Sequence, residues 1–190
     1  MKLNARQPAI ANAGHASAWY QPGDPPVAFS LTHTRGVVGC AVTRAGDIGL
    51  DLERVDRAAE ALDSVAAFLA PAELAVIEAC TPGQGAPRFT ELCTLEESDV
   101  NGLGCGLSLP LNSFSFSFDG AQSIELIATG ESAGWRFLLV APSSATRLAL
   151  AVQPRDTRRS IPVGVANPRA GGSATALRWS RGLEYWGARG

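Results

Sequence analysis

Between Arg88 and Leu111 the chain commits to a helix with a hard stop. Phe89, Leu92, Leu95 and Val100 recur at helical spacing and form one apolar stripe. Gly102, Gly104 and Gly106 then end the helix, and Leu-Ser-Leu-Pro-Leu follows at 107–111. The spacing predicts a helix over 88–101. A helix with a single apolar stripe must bury it against another element, and the rest of the chain supplies mostly strands to receive it.

Val27 to Leu31 and Val37 to Thr43 read as two strands joined near Thr32 to Gly36. Asp47 to Val55 alternates, with Ile48, Leu50 and Leu52 on one face and Gly49, Asp51 and Glu53 on the other. Asp56 to Ala70 and Pro71 to Cys80 read as helices, and Pro71 suits a first helical turn. Residues 81–86 form a Pro/Gly loop. Phe114, Phe116 and Phe118 alternate with serine as a half-buried strand. Ile124 to Ala128, Trp135 to Val140 and Leu148 to Gln153 extend it into a meander. Three regions are expected: an irregular lead-in at 1–26, a mixed α+β domain at 27–153, and an Arg-rich tail at 154–190 expected to be partly disordered, with a late Trp179, Tyr185, Trp186 cluster as its anchored end. No repeat stands out.

Net charge is −2 and the apolar content is 46 %, which argues against non-specific binding to nucleic acid or to a membrane surface. No apolar run is long enough to span a bilayer. The N-terminus carries Lys2 and Arg6 without the apolar core of a signal peptide, so the expected location is cytoplasmic. Lys2 is the only lysine among 16 basic residues. Cys40, Cys80, Cys93 and Cys105 lack zinc spacing and are expected to be buried thiols.

The chemistry concentrates in carboxylates. Asp51 and Glu53 lie two apart on a strand, so both point the same way. Convergence with Glu97 from the long helix would suit a hard, oxygen-seeking cation such as Mg²⁺. Taken singly, each of the three is as readily a solvated surface acid. His33 sits among Thr32, Thr34 and Arg35, where hydroxyls, amides and a cation could hold phosphates; a hydrogen-bonded structural histidine is the plainer alternative.

Three segments together resemble a known family. Cys93-Thr-Leu-Glu-Glu-Ser-Asp-Val-Asn-Gly-Leu-Gly-Cys-Gly-Leu-Ser-Leu-Pro-Leu111 looks like an altered W-T-L-K-E-S-Y-x-K-x-x-G-x-G-L-S-L-P-L. Phe29 to Gly36 looks like F-x-x-S-H-S-x-G, and Ile48 to Glu53 looks like I-G-x-D-x-E. Their order and spacing resemble the Sfp-type 4'-phosphopantetheinyl transferases, which move the phosphopantetheine arm of coenzyme A to a carrier-protein serine. The resemblance covers roughly residues 23 to 153. It implies an α+β fold of two pseudo-symmetric halves, mainly antiparallel sheet with packed helices, here with the first half truncated. It implies Mg²⁺ at Asp51, Glu53 and Glu97, with Glu97 as base. It also implies coenzyme A contacts at His33, Thr34 and Arg35, and an acyl or peptidyl carrier protein as partner, with Arg54, Arg57 and Arg88 as a basic docking surface.

The departures from the pattern are as informative. Glu96 and Asn101 stand where the family has lysine, and Asp24 stands in a Gly-Asp-Pro that resembles Gly-Lys-Pro. Cys93 replaces a tryptophan and Asp99 a tyrosine. The three lysine losses move local charge by about five units, and one unit charge about 5 Å from an anion is worth roughly 3 kcal/mol at an effective dielectric near 20. The expectation is a weak transferase, with a catalytically inactive relative that binds a carrier protein or a metal as the alternative. Lysines restored at 96 and 101 should both face the phosphates.

Overall fold

The computed structural model describes residues 17–19, 27–57, 69–104, 114–119, 123–128, 134–156, 161–165, 175–179 and 184–187. Eleven strands and two helices are named here in chain order: β1 Ser17–Trp19, β2 Val27–Thr34, β3 Val37–Thr43, β4 Gly46–Arg54, α1 Pro71–Glu78, α2 Gly85–Leu103, β5 Phe114–Asp119, β6 Ser123–Ala128, β7 Arg136–Ser143, β8 Thr146–Pro154, β9 Ile161–Val165, β10 Thr175–Trp179 and β11 Glu184–Gly187. The architecture is α+β. Among the described residues every strand pair is antiparallel except β11 with β7.

The central sheet has the order β11-β7-β8-β4 and separates two apolar layers. On one face Phe137, Leu139, Ala149 and Ala151 meet Leu92, Leu95 and Val100 of α2, with Phe116 and Trp135. Phe116 and Phe137 pack edge to face at 5.0 Å. On the other face Leu138, Val140, Leu150 and Val152 join Ile48, Leu50 and Ala28. The period of two along β7 and β8 thus feeds both layers. All four residues of the expected helical stripe, Phe89, Leu92, Leu95 and Val100, are buried.

α2 begins three residues earlier than the apolar stripe suggests, because Gly85, Ala86 and Pro87 already fit a first turn. It ends at Gly104, whose φ of 68° is the left-handed conformation that closes helices and favours glycine. Gly102 lies within the helix, and Gly106 lies outside the described residues. α1 starts at Pro71 as expected. Of the helix expected at 56–70, only 56–57, which are helical, and 69–70, which are not, lie among the described residues.

Several expectations need correction. β2 runs to Thr34, and the turn is only Arg35 and Gly36, with φ at Gly36 of 82°. Strand pairing of Thr32 with Gly39, and of His33 with Val38, absorbs residues that turn-forming composition had assigned to the loop. The expected meander divides into two hairpins, β5-β6 and β7-β8, with no β6-β7 pairing among the described residues. The lead-in contributes strand β1, which pairs with β2. In the tail, β9 pairs with β10, and β11 runs parallel to β7 through Tyr185 and Trp186. Cys40 is exposed rather than buried.

Candidate functional site

The site forms where α2 crosses β4, and the crossing is unusually close. A Cβ on Gly49 would meet the Ser98 carbonyl oxygen at 2.0 Å and the Gly102 nitrogen at 2.4 Å. A Cβ on Gly102 would meet the Trp135 ring at 2.5 Å. Only glycines let the two backbones touch here. Asn101 fixes the crossing by donating its side-chain N–H to the Leu50 carbonyl at 3.2 Å. One residue further along β4 stands Asp51, then Glu53, on the face that Gly49 turns to the helix.

This contact brings the three expected carboxylates within electrostatic reach of one another. Burial pushes the Asp51 carboxyl up to about 7, and the neighbouring Glu97 and Glu53 charges add to that shift. Glu97 is raised too, first by burial and then by Glu53. Asp51 uses one oxygen, accepting the Thr32 hydroxyl at 3.2 Å, while its other oxygen is buried without a hydrogen-bond partner. A buried, unpaired carboxylate oxygen among like charges is a poor arrangement unless a cation completes it. The donor set therefore fits a hard divalent ion. As the side chains lie, no three His, Cys, Asp or Glu groups among the described residues converge to ligating distance.

The expected phosphate-binding residues do not share one face. His33 and Thr34 are adjacent on β2, so their side chains point to opposite sides. His33 and Arg35 are exposed, whereas Thr34 is buried with its hydroxyl unpaired. The spacing suggested a turn, where both could converge; the strand separates them.

The replaced lysine positions also differ from expectation. Glu96 is buried against Glu73 rather than turned toward the carboxylates of β4. Glu73 is fully buried at the start of α1, where one oxygen accepts the Ala70 N–H at 3.1 Å and the other accepts the Phe116 N–H at 2.8 Å. With both Glu73 oxygens accepting, Glu96 carries the proton of the pair and donates it to Glu73. Burial first, and then Glu73, hold the Glu96 carboxyl well above the ordinary range. Asp24 lies outside the described residues. Burial pushes the Cys93 thiol up, helped by Glu96, Glu97, Glu73 and Asp51, so it is an unreactive neutral group beside the acid cluster.

The expected basic docking residues are partly committed. Arg88 pairs with Glu91 at 2.9 Å and stacks 3.9 Å from the Phe118 ring centre. Arg54 pairs with Asp56, and Arg57 is exposed. A further cation, Arg147, also binds Glu91 at 2.9 Å and ties β8 to α2.

Sequence reasoning did not single out Glu73, and it offered the Thr32 hydroxyl to phosphate rather than to Asp51. Pro71 followed by Glu73 was visible as a helix start, and a glutamate at that third position caps the helix from within. That the same carboxylate reaches β5 and α2 is a tertiary fact with no local signal.

Comparison with known proteins gives the family of the chain. A family model described as the 4'-phosphopantetheinyl transferase superfamily matches residues 47–153. A 4'-phosphopantetheinyl transferase of Bacillus subtilis is 36 % identical over 109 residues, which are 56 % of this chain and 47 % of that protein. The chain thus spans about half the length of this curated relative. Among solved structures, the holo-[acyl-carrier-protein] synthase (AcpS) of Thermotoga maritima aligns with a TM-score of 0.49 at 15 % identity, covering 66 % of this chain and 72 % of that one. The family match takes in β4, α2 and all three carboxylates, and with more than half of the sequence inside it the chain belongs to the 4'-phosphopantetheinyl transferase superfamily.

Proposed function

We propose that this chain transfers the 4'-phosphopantetheine moiety of coenzyme A to a serine of an acyl or peptidyl carrier protein, weakly and with Mg²⁺. The observation that carries this reading is the grouping of Asp51, Glu53 and Glu97 at the α2-β4 crossing, inside the segment that matches the family. These three would hold the cation. When bound, it would neutralise charge on the pyrophosphate and orient it.

Glu97 is half-buried and its carboxyl is raised, so as a carboxylate it is a stronger base than a solvated glutamate and suits removal of the serine proton. Arg35, exposed at the hairpin turn, is placed to attract the anionic nucleotide, and His33 beside it offers a second donor. Thr34 enters only if its buried hydroxyl turns outward. The test is an in vitro transfer assay with labelled coenzyme A and a generic carrier protein. Label on the carrier serine, lost in Glu97→Gln, is expected.

The second reading, a non-catalytic relative that binds a carrier protein or metal, is favoured by one observation. Of the replaced lysine positions, the two among the described residues offer no positive charge to phosphate, since Glu96 is paired inward and Asn101 is bonded to Leu50. Cation binding without any transfer would decide for it.

A further inference from the structure

Thr32 lies in the segment whose hydroxyls the sequence offers to phosphate, yet its hydroxyl is turned into the protein and donates to Asp51 at 3.2 Å. The conformation has a cause across the hairpin. Thr32 pairs directly with Gly39, and a Cβ at position 39 would stand 3.0 Å from the Thr32 methyl and 3.1 Å from Leu50. The missing side chain at 39 is the space that the methyl fills. A β-branched side chain has few staggered choices, so with the methyl seated over Gly39 the hydroxyl is left toward β4. A second link runs alongside, because the Leu50 N–H donates to the Ser30 hydroxyl at 3.0 Å. β2 is therefore stitched to β4 at two consecutive residues, Leu50 and Asp51.

From this geometry we infer that Thr32 is a positioning residue for divalent-cation binding. It occupies one oxygen of Asp51 and leaves the other, buried and unpaired, free for the ion, with Gly39 setting the Thr32 rotamer. The inference rests on the proposed assignment of Asp51 as a ligand. Its physical content is general. A ligand carboxylate held by a neighbouring donor needs no reordering when the ion arrives, and loss of such a partner weakens metal affinity without removing a ligand.

The experiment measures Mn²⁺ binding to the full chain by loss of the free-ion electron paramagnetic resonance signal, with melting temperature of the metal-free proteins recorded in parallel. Thr32→Val keeps the shape and removes the donor; it should weaken Mn²⁺ binding by about tenfold. Thr32→Ser keeps the donor and should stay within about twofold of the parent. Asp51→Asn should abolish binding. If Thr32→Val does not fold, Gly39→Ala crowds the methyl instead. It should weaken binding in the same direction, and Thr32→Ser in that background should restore it. Parental affinity in Thr32→Val or in Gly39→Ala overturns the positioning role while Asp51 remains a ligand. A parent that takes up no Mn²⁺, or an Asp51→Asn that binds like the parent, overturns the ligand assignment and the positioning role with it.

Discussion

At residue 96 a chemical substitution has become a structural one. A lysine there would meet Glu73 as an ion pair, whereas Glu96 meets it as an acid that must hold its proton. A carboxyl whose folded pKa is raised favours folding most fully below its unfolded value, near 4.5, and loses that contribution as pH rises through the folded value. Glu96→Gln keeps a donor for Glu73 and carries no proton to lose. It should match the parent in melting temperature near pH 4 and exceed it increasingly above pH 6, as thermal melts across that range would show. The same geometry revises what restored lysines can do. Glu96→Lys should be absorbed by Glu73, so the Glu96→Lys, Asn101→Lys pair should lower KM for coenzyme A no further than Asn101→Lys alone. A clear additional gain in the double variant would show that position 96 reaches the phosphates after all.

At the scale of elements, what matters is how α2 is seated on β4. The closest approach is backbone on backbone at Gly49, where neither Ser98 nor Gly102 can yield as a flexible side chain would. Gly49→Ala should cost about 1–3 kcal/mol or more by overpacking. At roughly 2–4 °C per kcal/mol for a chain of this size, the melting temperature should fall several degrees, and the cation response should fall with it because Glu97 moves relative to Asp51. Gly83→Ala is the control: φ there is 85° with no atom near the added Cβ, so it should lose stability by backbone strain alone and keep its cation response. These elements were legible in unequal measure. The α2 stripe and the alternation of Ile48, Leu50 and Leu52 could be read directly, because one period governs each and burial follows it. The grouping of Asp51, Glu53 and Glu97 was readable only with the family pattern, since strand spacing says where two acids point but not which helix crosses them. The inward turn of Thr32, the split of His33 from Thr34, and the Glu73–Glu96 pair depend on cross-strand register and helix packing, which no local spacing carries.

Over the whole molecule the acids that matter are those the fold desolvates. Asp51, Glu73, Glu96 and Glu97 are all raised by burial first. Each stabilises the fold relative to the open chain at low pH and gives that up as it ionises, so melting temperature should decline as pH climbs from about 5 to about 9. Within that decline Asp51 has a distinct place, because its folded value near 7 falls in the middle of the range, the Glu97 and Glu53 charges act on it, and one of its oxygens is buried and unpaired. A divalent cation should act there and far less below pH 5, where Asp51 is protonated in the fold and offers the ion no charge. Mg²⁺ or Mn²⁺ should therefore flatten the upper half of the curve. The ion stabilises by mass action, about 2.7 kcal/mol at a hundredfold excess over its dissociation constant. Melts with and without Mn²⁺ at pH 5 and pH 8 check this, with Asp51→Ala as comparison. The parent should gain several degrees at pH 8 and far less at pH 5, and the variant should gain nothing at either. An equal gain in parent and variant at pH 8 would place the ion elsewhere and remove Asp51 from the site.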